Sequence, residues 1–252
     1  PWGLDRIDQR SATGDGVFRY QNRGESAHVY VIDSGIRGSH AEFRGSDGRS
    51  RVTPVWNAVA GNALDTTEDS CAPTSYPQLG HGTSVASVVG GVTTGVAKSA
   101  RLYAIKTSEC GQGMTTAVLV EALDRALQHI EANRNYPAVV NFSIGTSNVA
   151  SVTTLERTVQ RMAGRGVHFV AAAGNFDAAA DTVAPARLAL GTPVITAGAV
   201  NAQGNKVLFT TYGPAVSLFA PGQNVPTAAM RSGSTGTGPL SDTALIRRAG
   251  TS

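Results

Sequence analysis

The sequence predicts an α/β domain built on a mostly parallel central sheet. Three observations carry that expectation. Short apolar runs rich in β-branched residues recur along the chain, helical patterns separate them, and 252 residues are enough for one large domain with a sizeable core. Hydrophobic residues make up 41% and charged residues 15%, a composition that excludes a disordered chain.

The runs at 28–33 (HVYVID), 101–107 (RLYAIKT), 138–145 (AVVNFSIG), 167–173 (VHFVAAA) and 193–199 (PVITAGA) are each short enough for a buried strand. Residues 115–133 place Val118, Ala122, Leu123, Ala126, Leu127 and Ile130 at helical spacing. A second helix is expected over 151–164, ended by Gly164 and Gly166. A third, rich in small residues, follows His81 through Val85, Val88 and Val89. Strands alternating with helices give a sheet whose chemistry gathers at the carboxyl ends of its strands. The polar stretch 57–80 and the Ser-, Gly- and Thr-rich stretch 231–243 read as surface loops. No internal repeat is present, and residues 1–252 read as one domain.

The net charge is +3, with basic residues scattered, as at Arg157, Arg161, Arg165, Arg247 and Arg248. No basic run with interleaved aromatics occurs, so nucleic acid is not an expected partner. No apolar stretch approaches the ~20 residues of a membrane span, and no charged and apolar leader opens the chain. Pro1-Trp2 at the start suggests a mature form with upstream segments removed. Cys71 and Cys110 can form one bridge or stand as two free thiols, and their spacing fits no zinc motif.

Four short motifs carry the chemistry. Asp33-Ser34-Gly35 closes the first strong strand, His81-Gly82-Thr83 opens a helix, Ala173-Gly174-Asn175 ends another strand, and Gly250-Thr251-Ser252 ends the chain. Acyl transfer needs an activated hydroxyl, a base to take its proton, and a group to hold the base. Ser252 is the candidate nucleophile, His81 the base and acid, and Asp33 the group that orients the imidazole. The Asn175 side-chain amide and the Ser252 backbone N–H are candidate donors to the oxyanion. Each motif alone is weak, since Asp33 serves equally as a turn former and Asn175 as a loop residue; together, and in this order, they are specific. No H-E-x-x-H or comparable ligand cluster supports a metal hydrolase.

The chain resembles the subtilase family of serine proteases, and within it the proteinase K-like and aqualysin-type enzymes. The order Asp, His, Ser is the one known for subtilisin. The resemblance runs nearly the whole length: Pro1–Arg10, Val29–Glu42 around the acid, Gly80–Ala86, Gly95–Lys98, Ala172–Asn175, Pro185–Arg187 and Leu218–Gly222. It implies a subtilisin-like three-layer fold and a secreted endopeptidase that acts on peptides and proteins without a catalytic cofactor. It implies an inhibitory N-terminal propeptide. Gly111-Gln112-Gly113 matches the segment that pairs with substrate as an added strand, Ser143-Ile144-Gly145 matches the opposite flank, and Ala172, Ala173 and Gly174 match the first specificity pocket. The resemblance also implies a Cys71–Cys110 disulfide. Asp5, Asp8 and Gln9 match an N-terminal calcium site, with a solvated helix start as the alternative.

The sequence departs from the family in three places. Asp181 and Ala215 stand where relatives carry a second disulfide, and Ser217 replaces a calcium-binding Asp. Family members continue past Gly-Thr-Ser into a buried helix, which this chain lacks. The expectation is therefore a nicked domain that does not fold alone and holds a noncovalent C-terminal fragment. An inactive nicked form or pseudoprotease acting as a binding scaffold is the competing reading.

Overall fold

The computed structural model describes residues 1–11, 13–72, 79–110, 114–148, 152–233 and 236–252. They gather into two compact units. The first comprises Pro1–Gln21, Val139–Val225 and Arg247–Ser252, and the second Asn22–Ala138 and Pro226–Ile246.

In the second unit three parallel strands lie in the order β2-β3-β1. Strand β1 (His28–Asp33) is buried at all six positions, as an apolar run covered on both faces must be. It pairs with β3 (Arg101–Lys106) in register from His28 opposite Arg101 to Asp33 opposite Lys106. Strand β2 (Val52–Asn57) was not expected from the sequence. Its burial is only partial, so it carries a weak apolar signal, and Pro54 sits beside a break in its register, a position that an outer strand tolerates.

Helix α2 (His81–Gly90) begins where the motif predicted it. Helix α3 (Thr116–Ala132) starts with the Thr115 hydroxyl accepting the Val118 N–H, an N-cap that satisfies one of the orphan donors of the first turn. Its buried face runs Leu119, Ala122, Leu123, Ala126, Leu127 and Ile130. Val118, expected on that face, lies one residue outside it, because Leu119 completes the three-and-four spacing instead. Cys71 and Cys110 are joined in a disulfide, which ties the 57–80 connection to the segment after β3. Chain-entropy arguments give such a bridge about 2–4 kcal/mol. Cys71 packs with Leu79 and Met230 in a small cluster. The stretch 231–243 is largely loop, as expected, flanked by β8 (Val225–Ala228) and β9 (Leu245–Arg248), which form a two-stranded sheet.

In the first unit four parallel strands follow the order β4-β5-β6-β7. These are β4 (Ala138–Phe142), β5 (His168–Ala172), β6 (Ile195–Val200) and β7 (Leu218–Pro221). Strand β4 ends at Phe142, so Ser143-Ile144-Gly145 leaves the sheet rather than continuing it. Helix α4 (Thr153–Ala163) buries Leu155, Val159 and Met162 at helical spacing. Phe142 and Phe169 bring their rings to 5.6 Å between neighbouring strands. A short helix α1 (Trp2–Ile7) opens the chain and settles Gly3 against the Pro221 ring. No helix among the described residues is long and apolar enough to cross a membrane.

Candidate active site

Asp33 is the last residue of β1 and is 3% exposed. A carboxylate so deeply buried needs its oxygens satisfied. His81 Nδ1 lies 2.8 Å from Oδ1 and 2.9 Å from Oδ2, and the Ser34 backbone N–H donates to Oδ1 at 2.7 Å. Since an ionised carboxylate only accepts, Nδ1 carries the proton. In the neutral ring Nε2 is then the basic nitrogen.

The glycines of the two motifs are explained by this contact. A Cβ on Gly82 would stand 2.4 Å from the Gly35 carbonyl oxygen and 3.1 Å from Asp33 Cβ. A Cβ on Gly35, whose φ is +107°, would stand 2.4 Å from the Thr66 carbonyl oxygen. A side chain at 82 pushes the helix start away from the strand end, and His81 with it, while one at 35 displaces the Thr66 backbone.

A residue that sequence reading missed sits beneath the pair. Glu68, 2% exposed, accepts the Gly80 N–H at 2.9 Å and a hydrogen bond from the Ser34 hydroxyl. That hydroxyl in turn accepts the Gly82 N–H at 3.1 Å. Glu68 thus satisfies two N-terminal donors of α2, one directly and one through Ser34. Burial pushes its carboxyl above the ordinary value, and the nearby Asp33 charge adds to the rise. No local signal marked it, since it lies in a polar stretch that read as loop.

Asn175 and the Gly-Thr-Ser motif lie in the first unit. The Thr251 N–H donates to Asn175 Oδ1 at 3.0 Å, and the Thr251 hydroxyl accepts the Gly174 N–H at 3.1 Å. A backbone N–H can only donate, so the amide oxygen of Asn175 is the bonded end. Its Nδ2, with two donors, is the end left for an oxyanion. The Gly250 N–H donates to the Gly222 carbonyl at 2.9 Å, so Gly250-Thr251-Ser252 is docked at three points. Ser252 itself is exposed.

Ala172 closes β5, with Ala173 and Gly174 just beyond it, and both alanines are buried, so their backbone is what they can offer a substrate. Ser143-Ile144-Gly145 follows β4 and leads into the paired backbone of Thr146 and Ala184. Gly111, Gln112 and Gly113 lie outside the described residues. At the positions that depart from the family, Ala215 is fully buried and the Ser217 hydroxyl accepts the Thr196 N–H at 3.0 Å.

Comparison with known proteins places the chain. Residues 24–252 match the subtilase family, and the protein belongs to it. The chain is 37% identical over 246 residues to an extracellular serine proteinase of Thermus sp. (strain Rt41A), covering 97% of this chain and 53% of that protein. It is 32% identical over 246 residues to alkaline protease 1 of Aspergillus clavatus, covering 97% of this chain and 55% of that protein. The chain therefore spans about half the length of these relatives. The crystal structure of a cold adapted subtilisin-like serine proteinase superposes with a TM-score of 0.80 at 31% identity, over 100% of this chain and 79% of that one. The fold is subtilisin-like, as the sequence predicted.

The raised carboxyl of Glu68 has a testable sign. The folded state holds its proton more tightly than the unfolded state does. The wild type therefore loses stability as pH rises from the ordinary carboxylate range through the raised folded value. Glu68→Gln keeps an acceptor for the Gly80 N–H and does not titrate. Its unfolding midpoint relative to wild type is expected to climb as pH rises above the ordinary carboxylate range in a denaturant series. Glu68→Ala is expected to lose about 1–3 kcal/mol by leaving buried donors unpaired. A Gln variant whose offset stays flat with pH removes the titrating role.

Proposed function

We propose that this chain is the catalytic part of a secreted serine endopeptidase that cuts peptide bonds through an acyl-enzyme on Ser252. The observation that carries the reading is the bond from His81 Nδ1 to the buried Asp33 carboxylate, which makes Nε2 the base. Ser252 attacks the scissile carbonyl, His81 takes its proton and returns it to the leaving amine, and Asp33 steadies the imidazolium. The tetrahedral oxygen is met by Asn175 Nδ2 and the Ser252 N–H. Water then repeats the sequence on the acyl-enzyme, with His81 as base again. Membership of the family and the relatives named as serine proteinase and protease support the activity. The name of the Thermus relative supports secretion. No observation favours the inactive-scaffold reading.

Peptide and protein substrates are the partners of this reaction. Gly111-Gln112-Gly113 and Ser143-Ile144-Gly145 are proposed to hold the substrate backbone as an added strand, with Ala172, Ala173 and Gly174 at the first pocket. The resemblance supplies two further partners, an inhibitory propeptide and a C-terminal segment of the same domain. Catalysis in this family needs no cofactor.

We also propose a structural calcium site at Asp5, Asp8 and Gln9. Hard cations take oxygen ligands. Asp8 Oδ1 is buried with no hydrogen-bond partner. Gln9 Nε2 donates to the Asp5 carbonyl and carboxylate, which leaves its amide oxygen as the other end. A Cβ on Gly14 would fall 2.0 Å from Asp5 Oδ2, so the glycine leaves room beside that carboxylate. Asp15 turns instead to Arg19, at 2.5 Å. The His, Cys, Asp and Glu cluster found among the described residues, Cys71, Glu109 and Cys110, offers no alternative because its two sulfurs are bonded to each other.

Three experiments test these readings. A fluorophosphonate probe is expected to label the folded full-length protein once, and not its Ser252→Ala variant; folded protein that takes no label overturns the triad. Asn175→Ala is expected to lower kcat by about 10²–10³ with little change in KM, and unchanged kcat removes Asn175 from the oxyanion role. Calcium is expected to raise the unfolding temperature of the wild type over that in a chelator. Asp8→Asn is expected to abolish the difference, and an Asp8→Asn protein that keeps it excludes the site.

A further inference from the structure

Six basic residues from separate stretches of the sequence converge in the second unit. A cavity of about 510 Å³ is lined by Arg23, Arg44, Arg49, Arg51, Lys98 and Arg101. Two acidic residues, Glu25 and Asp47, share the lining. Six cations less two anions give +4, against +3 for the whole chain, so this one cavity holds more positive charge than the protein carries net.

Among the described residues, none of the five arginines lies within ion-pair distance of a carboxylate. Backbone carbonyls hold the cations instead. Arg51 donates to the carbonyls of Ala100, Glu42 and Gly90, and its Nε is buried with no partner. Lys98, 8% exposed, donates to the carbonyls of Thr93 and Gly95. Arg44 donates to those of Gly48 and Ser39. The nearest buried carboxylate, Glu42, is turned to Thr93 and Thr94. Burial pushes Arg51 and Lys98 below their ordinary values; the Glu42 charge opposes the shift and the Arg23 charge adds to it. Like charges are thus gathered here in excess of the carboxylates that share the lining, an imbalance that an entering anion would relieve.

We infer that this cavity binds a small ligand bearing clustered phosphate or sulfate groups, at a site separate from Asp33 and His81. Guanidinium groups match tetrahedral oxyanions through paired N–H donors, which a lone ammonium cannot do. The volume lies within the ~300–1,000 Å³ of small-molecule sites and exceeds what one inorganic phosphate fills, so a ligand with several anionic groups suits it. Arg44 and Arg49 stand exposed at its rim, while Arg51 and Lys98 are more deeply set. The inference does not rest on the peptidase reading, and occupancy need not alter peptide hydrolysis.

Titration calorimetry of the full-length protein with sodium tripolyphosphate tests it. One saturable site is expected, weakened by about tenfold or more in Arg44→Gln/Arg49→Gln, and weakened by added salt. Arg157→Gln, which removes a charge from α4 outside the cavity, is the control and is expected to bind as the wild type. Both Gln variants keep their exposed positions and are checked for folding by their unfolding temperatures. A sulfated disaccharide run in parallel separates the sources. Competition with tripolyphosphate supports a site for either group, and binding by only one of the two supports the site and names its chemistry. No saturable binding of either probe at low salt overturns the proposal, and so does an Arg157→Gln variant weakened as much as the double variant.

Discussion

The rest of the second unit is arranged around one buried charge, the carboxylate of Asp33. It ends a strand with no exposed position, where an unpaired anion would cost several kcal/mol. The imidazole of His81 and the Ser34 N–H answer it. For that to happen, the first turn of α2 must press against the end of β1, and only glycine at 82 allows backbones so close, while Gly35 makes room for the Thr66 carbonyl. Glu68 then holds the same helix start from below, through Gly80 and Ser34. The Asp33–His81 geometry and the packing of the helix on the strand are therefore one constraint.

The first unit solves a parallel problem with neutral groups. Thr251 gives its N–H to the Asn175 amide oxygen and takes the Gly174 N–H on its hydroxyl. The first bond fixes the sense of the amide, since a backbone N–H can meet only its oxygen. In the motif Gly-Thr-Ser the threonine is thus structural, holding its neighbour Ser252 and the Asn175 side chain in one register. Gly250 is drawn to Gly222 in the same way.

Charge is placed as unevenly as the hydrogen bonds. Glu42 is buried, yet the hydroxyls and amides of Thr93 and Thr94 outweigh the effect of burial and hold its carboxyl below the ordinary value. The guanidinium of Arg51 makes its hydrogen bonds to backbone carbonyls, with the Glu42 charge acting on it through space.

The sequence by itself determined the strands β1, β3, β4, β5 and β6, the helices α2, α3 and α4, and the motifs that carry Asp33, His81, Asn175 and Ser252. Each of these is written in a local period or a contiguous motif, which a single chain displays directly. Strand β2 was not legible, because an outer strand half exposed and broken by Pro54 has no clear alternation. Glu68 was not legible either, since its role exists only where Gly80 and Ser34 meet it. The disulfide stood open between a bridge and two free thiols on the residues alone, and the family resemblance favoured the bridge. The basic cavity draws Arg23, Arg44, Arg49, Arg51, Lys98 and Arg101 from separate segments, none of them a charge run. Only the tertiary structure decides such features, because burial, partnership and the sum of distant charges are properties of positions in space.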